Sequence, residues 1–261
     1  SPSWLNARRR VVRAALEGLV PLPPVPLPTP QHLSRSPGTL PTKAFTIGIT
    51  TCRRLHLFRS TALSLLGGAL VGWPKRHADL VTRIIVVDDG SPEEERLAMA
   101  REFPDFEYVW KPPHRKGHAD SLNLLLAMVE TPYFLYLEDD WAFLGSSASP
   151  LVEAVHILEA TSHTQEPIHQ VLLNDQASRD CAYATVSACP RSMLGSAGWR
   201  RSLSMGDSAG RGEIHYNVHE FGVTGQQHPF TYWPGFTLNP AMWNVPVLRA
   251  RVQAAGGFNS T

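Results

Sequence analysis

Two stretches of this chain are apolar over the length of a strand and then stop on carboxylates. Ile84-Ile85-Val86-Val87 runs into Asp88-Asp89-Gly90-Ser91-Pro92, and Pro132 to Leu137 runs into Glu138-Asp139-Asp140. A strand without polar alternation is covered on both faces, the habit of parallel sheets packed between helices. The segments between supply the rest. Ala44-Phe45-Thr46-Ile47-Gly48-Ile49-Thr50 reads as a first buried strand, and 54–70 as a helix with Leu55, Phe58, Leu63 and Leu66 roughly on one side. Arg83 to Val87 is the second strand, 93–102 a helix, 106–110 a third strand, 119–129 a helix, and 132–137 a fourth strand. Strands alternating with helices predict right-handed crossovers and a mostly parallel sheet. Ligands of such sheets sit beyond the carboxyl ends of the strands, where both acidic clusters fall.

Beyond residue 145 the rhythm changes. Residues 151–160 read as a helix and 170–174 as a short strand. Residues 176–213 are rich in Ser, Gly and Arg without clear periodicity, and read as a long loop. Its charge comes from Arg179, Arg191, Arg200, Arg201 and Arg211, and a flap that orders over a bound donor is expected here. Residues 214–245 are dense in aromatics and histidines, with no internal repeat. Trp233-Pro234-Gly235-Phe236 suits stacking on a sugar or other planar group as well as ordinary core. His215, His219 and His228 are too irregularly spaced for a zinc motif, though one of them could complete a metal site.

At the other end, residues 4–20 read as a short basic helix carrying Arg8, Arg9, Arg10 and Arg13, packed on the domain or in weak contact with a membrane surface. Residues 21–42 alternate proline with Leu and Val at first and read as an extended linker or stem. That divides the chain into 1–42 and a folded domain over 43–261, with a nucleotide-side half at 43–145 and an acceptor-side half at 146–261. A stem would imply the Golgi or secretory lumen; without one the cytoplasm is expected.

Composition narrows the field. Of 261 residues 43% are apolar and 18% charged, enough apolar content for a substantial core. Lys and Arg number 24 against 23 Asp and Glu, a balance that argues against a dedicated nucleic-acid binder. No apolar run approaches the ~20 residues of a membrane span. Cys52, Cys181 and Cys189 form no Cys-x-x-Cys pair, so neither a zinc knuckle nor a disulfide framework is indicated.

Three segments carry chemistry. Glu138-Asp139-Asp140 concentrates mutually repelling charge beside a core, which a hard divalent cation with oxygen ligands would relieve; a solvated acidic turn is the alternative. Alternation along the strand puts Glu138 and Asp140 on one side and Asp139 on the other. Asp88-Asp89 suits hydrogen bonds to a ribose or base, while Asp-Gly-Ser is equally good turn chemistry. Lys116-Gly117-His118-Ala119-Asp120-Ser121-Leu122-Asn123 offers a cation, a glycine and a helix N-terminus, which suit a diphosphate; a capped surface helix is the plain alternative.

Taken in order, Thr50-Thr51-Cys52-Arg53, Val87-Asp88-Asp89-Gly90-Ser91, Lys116 to Asn123 and Tyr136-Leu137-Glu138-Asp139-Asp140 resemble the GT-A-fold glycosyltransferases of the family-2 type. The likeness covers roughly 44–145. It resumes weakly at Leu248-Arg249 and Gly256-Gly257-Phe258-Asn259, similar to that family's Arg…Gly-Gly-Phe-Asp segment. It implies a three-layer α/β sandwich with a mostly parallel central sheet, a nucleoside diphosphate sugar as donor (a UDP-sugar first), and Mn²⁺ or Mg²⁺. Thr50, Thr51 and Arg53 would border the nucleotide, Asp88 or Asp89 would contact base or ribose, and Lys116, Gly117 and Asn123 would lie near the diphosphate. Glu138-Asp139-Asp140 would serve as the Asp-x-Asp motif, with Glu138 and Asp140 toward the metal, Asp140 the direct ligand, and Asp139 toward the nucleotide. Glu138 departs from the family's Asp by one methylene.

The family's catalytic carboxylate follows Gly-Gly-Phe shortly. Here the chain stops at Thr261, so that residue is expected beyond it or replaced by Glu220 or Asp175. Inverting transfer to a glycan, protein or small-molecule acceptor is the leading expectation. A non-catalytic module binding nucleotide sugar or glycan is the second. A nucleotidyltransferase is the third, disfavoured by the glycine-poor first loop.

Overall fold

The computed structural model describes residues 45–143, 148–162, 168–173, 199–206, 213–219, 240–254, 256 and 258. Eight strands are described: β1 (Phe45–Thr51), β2 (Val81–Asp88), β3 (Glu107–Trp110), β4 (Tyr133–Glu138), β5 (Gln170–Leu172), β6 (Trp199–Gly206), β7 (Glu213–His219) and β8 (Ala241–Asn244). The helices are α1 (Leu55–Ser64), α2 (Glu93–Glu102), α3 (His118–Met128), α4 (Ser149–Thr161) and α5 (Val245–Ala254). The helix expected over 54–70 changes at Leu65 into a π turn, Leu65–Ala69, closed by Leu70 N–H on the Leu65 carbonyl at 2.8 Å.

Six strands form one sheet in the order β3-β2-β1-β4-β8-β5. The pairs β1–β2, β2–β3 and β1–β4 are parallel, while β8 runs antiparallel to both β4 and β5. The chain leaves β1 toward β2 and β3 on one side and returns to place β4 on the other. The crevice between the ends of β1 and β4 is thus the switch point where such sheets bind ligands. Thr50 stands beside Glu138 in that register.

Strand alternation sorts the core into two faces. Phe45, Ile47 and Ile49 of β1, Ile84 and Val86 of β2, and Tyr133, Leu135 and Leu137 of β4 pack with Phe58 and Ala62 of α1, Met99 of α2 and Leu151 and Val155 of α4. Ile85, Val87, Phe134 and Tyr136 face the other way, onto Leu122 and Leu125 of α3 and Leu248 of α5. Helices therefore cover both faces, giving the three-layer α/β sandwich that the sequence leads one to expect.

Gly48 marks the tightest point between layers. A Cβ there would come within 2.6 and 2.8 Å of the Phe134 ring and 3.0 Å of Leu125 Cδ2. Both neighbours are buried and cannot swing into solvent. Gly48→Ala is expected to cost about 1–3 kcal/mol by overpacking. A urea midpoint equal to that of the parent chain would show that the layers can part.

The expectation of an aperiodic loop over 176–213 fails in part. Trp199–Gly206 is strand β6, paired antiparallel with β7 in a separate two-stranded sheet. Arg200 and Arg201 lie on that strand. The Ser- and Arg-rich composition hides it, because only Trp199, Leu203 and Met205 mark an apolar alternation. Arg179, Arg191 and Arg211 lie outside the described residues, as do the basic segment 4–20, the linker 21–42, Trp233, Phe236 and His228. No described helix is long and apolar enough to cross a membrane.

Candidate active site

The carboxyl ends of β1 and β2 are joined by a turn built on Arg53. Its φ of 54° lies in the left-handed region that non-glycine residues seldom adopt. Two hydrogen bonds hold it there, from Arg53 N–H to Ser91 Oγ at 2.8 Å and from Arg53 Nε to the Gly90 carbonyl at 3.0 Å. Cys52 Sγ donates to the Asp89 carbonyl at 3.0 Å, and Asp89 N–H to the Thr51 carbonyl at 2.8 Å. Arg53 therefore leans toward β2. The next residue, Arg54, is left to lean toward β4.

There it meets the acidic cluster. Asp139 has a fully buried side chain, takes a hydrogen bond from Thr51 Oγ1 at 2.7 Å, and pairs with Arg54 Nη2 at 2.5 Å. Burial still pushes its carboxyl above the usual range, against the pull of Thr51 and Arg54. Asp140 is 41% exposed and accepts from Arg54 Nη1 at 3.3 Å. Glu138 continues the alternation of Phe134 and Tyr136 and is 24% exposed, its Oε1 lying 3.8 Å from His118 Nε2. Burial, then the neighbouring Asp140 charge, pushes the Glu138 carboxyl up to about 7.

Beneath Glu138 runs a short polar chain. Tyr136 Oη is hydrogen-bonded to Thr50 Oγ1 at 2.9 Å and to His118 Nε2 at 2.6 Å. Burial raises the Tyr136 hydroxyl's pKa, so it stays protonated, and burial lowers that of His118, which favours its neutral form at the start of α3.

The third part is a buried lysine that sequence reasoning passed over. Lys111 follows β3 and is fully buried. Its Nζ donates to the Gly117 carbonyl at 2.8 Å and to Ser121 Oγ at 3.0 Å, and pairs with Asp89 Oδ1 at 3.0 Å and Asp120 Oδ2 at 3.3 Å. Gly117 N–H donates to Asp89 Oδ2 at 2.8 Å. Gly117, with φ of 116°, is thus pinned on both sides in a conformation a side chain would strain. Only the fold reveals this lysine, since its partners come from β2 and α3; in the sequence it reads as a cation after a strand.

Several expected site residues take other places. Asp88 has no exposed side chain; it accepts from Ser91 N–H and from Arg96 Nε at 2.7 Å. Its expected contact with base or ribose therefore gives way to anchoring the turn, because none of its surface reaches solvent. Asp89, 18% exposed, is the one of the pair that borders the crevice. Asn123 exchanges two 3.0 Å hydrogen bonds with the backbone of Phe258, tying the Gly256–Phe258 segment to α3 rather than standing free for a diphosphate. Arg249 donates to the carbonyls of Leu126 and Val129 at the end of α3. Lys116 is exposed, its Cε 3.6 Å from where a Gly90 Cβ would stand, so it overhangs the β2 turn. Thr50 and Thr51 are buried, Thr50 hydrogen-bonded to Tyr136 and Thr51 donating to Asp139. Glu220 and Asp175 lie outside the described residues, and of His215 and His219 only the strand they occupy is described. Among the described residues, no group of three or more His, Cys, Asp or Glu side chains is placed to hold a metal.

A three-layer α/β sheet with carboxylates and a helix N-terminus at its switch point is the GT-A-like fold that the sequence resemblance implies. Residues 46–166 match the family model described as glycosyl transferase family 2. No curated protein matches the chain. Among solved structures, it is similar to the mannosyltransferase PcManGT from Pyrobaculum calidifontis, in complex with GDP-Man and Mn²⁺. Identity is 17% and the TM-score 0.40, over 53% of this chain and 37% of that one. It is also similar to residues 1–349 of S. aureus TarS, with 14% identity and a TM-score of 0.44, over 80% of this chain and 49% of that one. TarS 1–349 with UDP-GlcNAc gives 17% identity and a TM-score of 0.35, over 46% and 32%. The chain spans less than half the length of each.

Proposed function

We propose that this domain transfers a sugar from a nucleoside diphosphate sugar to an acceptor hydroxyl, with a divalent cation and with inversion at the anomeric carbon. The observation that carries the reading is the meeting, at the β1/β4 switch point, of the Glu138–Asp140 acids with the N-terminus of α3. The family match over the same segment supports it.

The donor set fits a hard cation. Glu138 and Asp140 are partly exposed carboxylates at 24% and 41%, the oxygen donors that a hard cation prefers. Two carboxylates make an incomplete cage, so water and phosphate oxygens would fill the remaining positions. Bound there, the cation would neutralise charge growing on the departing diphosphate.

This chain's own groups do the rest. The α3 N-terminus and exposed Lys116 would hold diphosphate oxygens, and Asp89 would border the nucleoside. In the transfer, the acceptor oxygen bonds to the anomeric carbon while the bond from that carbon to the diphosphate oxygen breaks. The acceptor proton passes to a base, for which Glu220 and Asp175 are the candidates. The test is release of nucleoside diphosphate from UDP- and GDP-sugars, with donor binding measured in parallel. Neither release nor binding with any donor would overturn the proposal, and binding without release would move the chain to a recognition module.

A further inference from the structure

We infer that Arg54 is a resident cation of the acidic cluster, which keeps a divalent ion off Asp140 until a nucleoside diphosphate draws the guanidinium away. The inference rests on the metal-site reading above and adds its control. Arg54 spans two carboxylates of the turn that follows β4, with Nη2 2.5 Å from Asp139 Oδ1 and Nη1 3.3 Å from Asp140 Oδ2. The two contacts are unequal. Asp139 is fully buried and also held by Thr51, whereas Asp140 is 41% exposed and reached only by the longer contact. The Asp140 end of the fork is therefore the one that gives way. Arg54 is itself 40% exposed, so its head can turn without crossing the core.

A cation entering at Asp140 and Glu138 would meet this guanidinium at close range and be repelled. Diphosphate oxygens offer the planar fork a better partner than one exposed carboxylate, because paired N–H donors match phosphate geometry. Arrival of the nucleotide then does two things together. It removes a positive charge from Asp140, and it brings oxygens that complete a cation's shell. Metal without nucleotide finds the ligand already engaged.

The test is calorimetry on the full chain. Mn²⁺ alone is titrated into wild type, Arg54→Gln and Arg54→Gln/Asp140→Asn, and UDP is titrated with Mn²⁺ saturating. Arg54→Gln is expected to bind Mn²⁺ roughly tenfold more tightly than wild type, a gain erased by Asp140→Asn, while its UDP affinity falls. These opposite shifts separate charge competition from structural damage, which would weaken both. Unchanged or weaker Mn²⁺ binding in Arg54→Gln, or a gain that survives Asp140→Asn, overturns the inference. Should Arg54→Gln fail to fold, Arg54→Lys serves, since it keeps the charge but cannot span both carboxylates. A smaller gain is expected of it, and no gain overturns. Asp140→Asn alone, titrated with UDP and Mn²⁺, keeps the two readings apart. If it loses metal-dependent UDP binding while Arg54→Gln gains nothing, the metal site stands and only the role of Arg54 falls.

Discussion

Lys111→Met is expected to destabilise the domain by about 3 kcal/mol and to loosen the entry to α3. The side chain is fully buried, and its ammonium is shared by Gly117, Ser121, Asp89 and Asp120. Methionine fills the volume but leaves two carboxylates without their common cation. Breaking a buried pair from one side costs about 3–5 kcal/mol. The lower end applies because Asp120 keeps Arg115 and Asp89 keeps the Gly117 N–H. The effect is also directional. Gly117 loses the bond on its carbonyl but not the one on its N–H, so the 111–118 loop should open while the sheet persists. Urea unfolding with amide exchange of α3 reads both parts. Asp89→Asn in the Lys111→Met background should recover part of the loss, since it removes the orphaned charge. An unchanged midpoint in Lys111→Met would mean that solvent reaches this lysine.

The contrast between Lys111 and Arg54 on one side and the sheet on the other shows what a sequence exposes. Strands β2 and β4 are legible because Ile84–Val87 and Tyr133–Leu137 are apolar runs buried on both faces, and the first acid after each run marks the end of the strand. Glu138 ends β4 and Asp88 ends β2 for that reason. Strand β8 offers no such signal. Ala241-Met242-Trp243-Asn244 is four residues long and sits between Pro240 and Val245-Pro246, so neither a period nor a boundary can be read. It is nonetheless a central strand, because β4 and β5 supply its partners.

The site divides the same way. That Glu138 and Asp139 point apart follows from alternation, and the sequence suffices for it. Which arginine serves the acids does not follow. Arg53 and Arg54 are adjacent and chemically identical, and only the left-handed turn at Arg53 sends one to Gly90 and the other to Asp139. Asp88 and Asp89 are likewise told apart by burial, which depends on Arg96 arriving from α2 and Lys111 from the end of β3.

Asp140→Asn is expected to lower sugar transfer by about 10²–10³-fold, with chelation of the divalent cation lowering the wild type at least as far. Asparagine keeps the shape and one acceptor oxygen but removes the charge, so the fold should survive while metal-dependent donor binding weakens. The structure favours this position over its neighbours for a stated reason. Asp139 is buried and held by Thr51 and Arg54, so its substitution would remove a buried acceptor from both and confuse stability with chemistry. Glu138 is pushed up to about 7 by burial and by Asp140, and so already spends part of its time uncharged near neutral pH. Asp140 is the most exposed of the three, and its contact with Arg54 is a long one at 3.3 Å. The loss should fall on turnover with Mn²⁺ or Mg²⁺ saturating. It should not be recovered by more donor, because the missing interaction grows as charge develops on the diphosphate. The check is initial rates against donor and metal concentration, with a thermal melt confirming the fold. Full turnover in Asp140→Asn would place the cation elsewhere, or dispense with it, and leave the acidic end of β4 as a counter-ion for Arg54.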